Sequence, residues 1–143
     1  IPDTSGRDSL FQAEARQCKE ILEQIMVSKK EETHLIIFDE LYSGTNPFEA
    51  SAAAYGYLKY INTMKNVRFY LTTHFVDLCE KLNYEKKIMN KHMVTKEQEN
   101  GIGFTYKIAP GISCVKGGMH VLQQLAYPTK ITEEASKQLD ECD

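Results

Sequence analysis

From Leu10 to about Val27 the apolar positions Phe11, Ala15, Cys18, Leu22 and Ile25 recur at helical spacing. The nine residues before them, "IPDTSGRDS", are turn-rich and end in Asp8 and Ser9, either of which can cap that helix. The polar loop "SKKEET" follows. "HLIIF" is then apolar and β-branched without alternation, the pattern of a strand buried on both faces. Asn46 or Pro47 opens a second helix that runs to about Met64. Its small residues from Ala50 to Ala54 suit close packing on a sheet. "VRFYLTTH" reads as a second buried strand and "FVDLCEKL" as a short helix. The period then changes. "KHMVTKEQ" and "GFTYKIAP" flank "ENG" as a β-hairpin. "GGMHVLQQLA" is a short helix, and "TKITEEASKQLDEC" a last, amphipathic one. Strand–helix–strand alternation predicts an α/β fold: a parallel sheet with helices on its faces and an antiparallel hairpin at one edge.

Composition narrows the classes. The chain has 143 residues, is 42% hydrophobic and 26% charged, and carries a formal net charge of -3. That is one domain, or part of one, without a generally basic surface for nucleic acid. Cys18, Cys79, Cys114 and Cys142 lie far apart, and with four scattered histidines they offer no zinc spacing. A reduced, intracellular thiol set is expected, in cytoplasm or nucleus. No apolar run approaches membrane-spanning length and no signal peptide is evident, so no membrane partner is expected. The chain begins with Ile1 rather than Met, as a processed product or a piece of a longer protein does.

The chemistry gathers where the strands end. In an open parallel sheet, ligands collect beyond the carboxyl ends of the strands. Asp39 and Glu40 follow "LIIF" there. One acid can hold Mg2+ directly or through water. The next points elsewhere by strand alternation and can orient a water for attack on phosphorus. The plainer alternative is a solvated acidic turn. The second strand also ends in polar residues, Thr72, Thr73 and His74. If the strands are neighbours, His74 lies near the same ligand and can donate to a terminal phosphate. Its plainer alternative is a cap on the following helix. The tyrosines, among them Tyr55, Tyr57 and Tyr60, fall at packing positions rather than on a stacking platform for bases. The Lys-rich "YEKKIMNKH" reads as a solvated loop before it reads as a phosphate contact.

"LIIFDELYSGTNPFEA" followed by "FYLTTHF" resembles the ATPase domain of the MutS family, within the ABC class of P-loop NTPase-like proteins. "GRDSLFQAEARQCKEIL" resembles the family's signature segment, with Ser9, Phe11 and Glu14. "YKIAPGISCVKGGMHVLQQLAYP" resembles its late segment. The likeness covers residues 1–143 in the family's order. The late segment is similar to the MutS homologues of large DNA viruses, and "DELYSGTNPFEA" to the bacterial branch that does not read mismatches.

The resemblance implies an ATP-binding and hydrolysing module that works with Mg2+, as a homo- or heterodimer with a second MutS-like subunit. Mismatched or damaged double-stranded DNA would be held by domains outside these residues. Asp39 takes the place of the Mg2+-associated acid, acting through water, and Glu40 that of the catalytic base. Ser43, Gly44, Thr45 and Asn46 fall on the loop that crosses the dimer interface. His74 takes the place of the histidine on the terminal phosphate, and Ser9 that of the signature serine reaching the partner's ATP. A non-catalytic dimerisation module on the same fold is the alternative.

One residue departs from the family, and two features set the chain apart from transporters and helicases. Leu10 stands where the family commonly has Thr. The transporter signature Leu-Ser-Gly-Gly-Gln is absent. Tyr42 occupies the place where a helicase wants Asp or His. A larger departure is that no G-x-x-x-x-G-K-[ST] occurs. Its backbone amides, Lys and hydroxyl would cradle the phosphates. The chain is therefore expected to be an incomplete domain, downstream of that loop and inactive alone.

Overall fold

The computed structural model describes residues 6–99, 101–114 and 117–139, with the backbone alone for 6–9. The chain divides into two compact units, Ile1–Met89 and Asn90–Asp143.

In the first unit, α1 (Gly6–Val27), β1 (His34–Asp39), α2 (Pro47–Asn62), β2 (Val67–Thr72) and α3 (Val76–Leu82) follow in order. β1 and β2 pair in parallel, from His34↔Val67 to Asp39↔Thr72, with α2 as the crossover. Asn46 caps α2, accepting from the Glu49 amide at 2.9 Å, and Pro47 supplies the fixed φ of a first helical position. Ala50, Ala54, Leu58 and Ile61 form a fully buried stripe along α2. Leu58 and Ile61 each contribute about 1.5–3 kcal/mol of hydrophobic burial. The stripe packs with Cys18 and Ile25 of α1, Phe38 of β1 and Leu78 and Leu82 of α3.

Five expectations change here. α1 begins at Gly6, so Asp8 and Ser9 lie inside it instead of capping it. No proline interrupts residues 6–9, so the helical backbone can run through them. Residues 1–5 of the turn-rich segment lie outside the described residues. β2 ends at Thr72 rather than His74, because the Thr73 hydroxyl accepts from the Phe75 amide at 3.0 Å and turns the chain. The strands are not buried on both faces. Ile36, Phe38, Phe69 and Leu71 face the core. Leu35, Ile37 and Tyr70 are 62%, 72% and 69% exposed, because the unit's described helices pack on one face only.

The fourth change concerns the hairpin. β3 (Lys91–Gln98) and β4 (Gly101–Pro110) form a separate antiparallel sheet in the second unit, not an edge of the parallel one. Gly101 has φ 126°, which suits glycine at the expected turn, while its neighbour Asn100 lies outside the described residues. A bulge falls between Met93 and Thr95. α4 (Gly117–Gln124) and α5 (Thr129–Lys137) complete the unit. Lys116 of the "KGG" segment and residues 140–143 lie outside the described residues. Among the described residues Cys18 and Cys79 are thiols outside any disulfide, but Cys114 is disulfide-bonded, against the expected fully reduced set.

Candidate functional site

The pairing of β1 with β2 builds the site. Residues in register on neighbouring strands share a face, so Asp39 and Thr72 stand side by side at the carboxyl ends. The Thr72 hydroxyl donates to Asp39 Oδ1 at 2.8 Å. The Glu40 amide donates to the Thr72 carbonyl at 2.9 Å, one rung beyond the strands. Thr72 therefore holds both acids, one through its side chain and one through its backbone.

Glu40 does not diverge from Asp39 by strand alternation, as its sequence position suggested. Its φ is 62°, a left-handed turn residue. Such a conformation costs a non-glycine residue on the order of 1–3 kcal/mol and clusters at functional sites. It leaves the Glu40 carboxylate 44% exposed, with Oε1 3.6 Å from Nε2 of His74, itself 91% exposed. At that distance the two form an ion pair when the imidazole is protonated. His74 does not cap α3: the N-cap position belongs to Phe75, whose own side chain makes no capping hydrogen bond.

The loop after the acids is held by packing. Leu41 and Tyr42 are buried. Tyr42 also takes a left-handed φ of 58° and lies between Phe11 and Tyr57, with ring centroids 5.7 and 6.3 Å away. Its hydroxyl bonds the Cys18 side chain, and the Tyr57 hydroxyl donates to the Cys18 carbonyl at 2.9 Å. Burial, reinforced by Cys18, raises the Tyr42 phenol far above its ordinary range and pushes Tyr57 up to about 12. Burial also raises the Cys18 thiol, against the lowering effect of the Tyr42 bond.

Gly44 passes so close to α1 that a Cβ there would lie 2.8 Å from the Phe11 amide nitrogen. Ser43 donates to Glu14 Oε1 at 3.2 Å. Thr45 and Asn46 bond Glu49 Oε2 at 3.3 and 2.7 Å. The structure thus brings together Asp39, Glu40 and His74. It ties Ser43, Gly44, Thr45 and Asn46 to α1 and to the start of α2, and their hydrogen bonds do not run to the acids. Ser9 lies in α1, and its side chain is outside the described residues. The sequence reading noted Thr72 only as a polar strand end. The Asp39↔Thr72 register was the missing signal, and it is readable only once the strands are paired.

The donor set fits one kind of metal. Among the described residues no three His, Cys, Asp or Glu side chains gather into a cage. Asp39 offers an exposed carboxylate with one oxygen already hydrogen-bonded. That matches Mg2+, which keeps several waters and takes one or two carboxylates beside substrate phosphates. It does not match a cation that needs an all-protein shell. Two concavities, of about 370 and 780 Å3, lie elsewhere: one along α1 and the start of β1, the other between α2 and α3. The acids and His74 line neither.

Comparison with known proteins places the chain in a family. MutS domain V matches residues 3–143. The DNA mismatch repair protein MutS of Aquifex pyrophilus is 32% identical over 107 residues, covering 75% of this chain and 12% of that protein. MutS of Streptococcus equi subsp. equi (strain 4047) is 29% identical over 129 residues, or 90% of this chain and 15% of that protein. MutS of Macrococcus caseolyticus (strain JCSC5402) is 27% identical over 139 residues, or 97% of this chain and 16% of that protein. The chain therefore spans about a sixth or less of these relatives' length. With a family match over nearly every residue, and a parallel strand pair that ends in acids and a histidine, the chain belongs to the MutS family, in its domain V.

Proposed function

We propose that residues 1–143 are the hydrolytic and sensing part of an ABC-class, P-loop-type ATPase domain in a MutS-like DNA mismatch repair protein. One observation carries this reading: Asp39, Glu40 and His74 converge at the carboxyl ends of two paired parallel strands, with His74 3.6 Å from Glu40. The printed names of the relatives, DNA mismatch repair protein MutS, point the same way.

Mg2+, when bound, offsets negative charge on the phosphates of ATP. Asp39 would hold it, through water. Glu40 accepts the proton of the attacking water, and its exposed carboxylate can reach that water without crossing packed side chains. His74 donates to the terminal phosphate, which requires it to leave Glu40. Binding of nucleotide thereby frees the base that acts on it. No phosphate loop occurs in these residues, so the cradle is supplied by polypeptide outside them. Ser43, Gly44, Thr45 and Asn46 sit at the interface with a second MutS-like subunit, and Ser9 reaches the partner's ATP. Each site then draws on two chains, so ATP binding and dimer closure are linked. Mismatched DNA is held by parts of the protein outside these residues.

Glu40→Gln in the full-length protein tests the reading. ATP binding should persist while turnover falls roughly 10²–10⁴-fold. Mixed dimers extend the same test. Glu40→Gln and Ser9→Ala placed in different subunits should leave one site intact, whereas both changes in one subunit should damage both sites. Normal turnover by the Glu40→Gln homodimer would remove Glu40 as the base. Equal activity of the two mixed arrangements would remove Ser9 from the partner's site.

A further inference from the structure

We propose that Thr72 is a positioning residue for the metal-associated acid, a role that rests on the reading of Asp39 given above. A carboxylate at an exposed strand end rotates freely about its last torsion, which has broad, two-fold preferences. Thr72 removes that freedom. Its β-branched side chain is stiff on a strand, so the hydroxyl direction is set by the backbone. The in-register pairing then places that hydroxyl 2.8 Å from Asp39 Oδ1. Oδ1 is held, and Oδ2 stays open to water at the cation. The neighbouring hydroxyl, Thr73, is engaged past the strand end instead, where it accepts from the Phe75 amide.

The same residue anchors Glu40 through its carbonyl, a bond that survives any side-chain change at Thr72. The side chain is exposed, so substitution opens no cavity. Thr72→Val therefore removes the hydroxyl alone. A bond that merely tied the strands together would change stability when lost, but not the affinity of the folded protein for a cation.

The experiment uses the full-length protein with stoichiometric ADP, titrated with Mn2+ and read by electron paramagnetic resonance of the free ion. Thr72→Val should weaken Mn2+ binding about five-fold, the loss of one hydrogen bond, while nucleotide affinity without metal stays unchanged. Thr72→Ser should restore the wild-type value, and Asp39→Asn should weaken Mn2+ more than Thr72→Val does. Unchanged Mn2+ affinity in Thr72→Val, with Asp39→Asn weakened, overturns the role of Thr72 and leaves that of Asp39 standing. Unchanged affinity in both variants overturns the two together.

Discussion

Two glycines in the first unit make opposite predictions. At Gly44 an added methyl group meets backbone, with Phe11 N at 2.8 Å and Leu10 C at 3.2 Å. Backbone cannot swing aside as a flexible side chain can. Gly44→Ala should therefore destabilise the protein by about 1–3 kcal/mol and loosen the loop from α1. At Gly56, exposed within α2, nothing lies within 4 Å of the added atom. Gly56→Ala should stabilise by about 1 kcal/mol, since alanine is the better helix former. Urea denaturation of the two variants beside wild type checks both signs. A neutral Gly44→Ala would mean that the loop does not press on α1 as described.

At the scale of elements, α1, the loop after β1 and α2 are joined through Cys18, Tyr42 and Tyr57. The Tyr57 hydroxyl bridges α2 to the Cys18 carbonyl of α1. Burial raises the Cys18 thiol above its ordinary 9.0 and the Tyr57 phenol from 10.0 to about 12. Groups raised in the folded state contribute stability that is fully present below their unfolded pKa and lost as pH climbs through the folded one. Stability should therefore hold up to about pH 9 and fall progressively toward about 12. Tyr57→Phe loses about 1 kcal/mol at neutral pH with the hydrogen bond, but should decline less steeply in alkali. Urea midpoints of the two proteins should converge as pH rises. A constant gap would exclude the buried phenol as a cause.

Periodicity made the elements legible. The apolar spacing of α1 and α2, the Asn46 and Pro47 start, and the hairpin about "ENG" are local signals that propagate along the chain. What sequence could not supply was through-space. The approach of Gly44 to Phe11 joins residues 33 positions apart, and the Thr72–Asp39 bond depends on strand register. The left-handed turn at Glu40 had no glycine to announce it. The bare outer face of the strands was hidden because "LIIF" looks equally apolar whether one face or two is covered. Asp39, Glu40 and His74 were legible as strand-end chemistry; the partner that holds the first two was not.

For the molecule as a whole, the 143 residues contain no G-x-x-x-x-G-K-[ST] beside the acids' strand pair. A phosphate loop's amides and lysine make several charge-assisted contacts, each worth on the order of 1.5–3 kcal/mol. At about 1.4 kcal/mol per tenfold, losing several moves a micromolar site to millimolar or weaker. The 143-residue chain should accordingly give little or no heat with ATP·Mg2+ in calorimetry. Micromolar binding abolished by Asp39→Ala would place a cradle within these residues.

Leu35, Ile37 and Tyr70 stand bare on the face of the strand pair that ends at Asp39 and Thr72. The consequence is one of timing. A greasy surface beside the acids is a hazard for as long as it is uncovered, because transiently exposed apolar faces and open strand edges recruit other chains. As a ribosome releases the strands, that adhesive side emerges with them, and crowding sets how long it is tolerated bare. Slower synthesis or lower temperature during production should raise the yield of soluble protein, and the chemistry of the site has no part in that outcome.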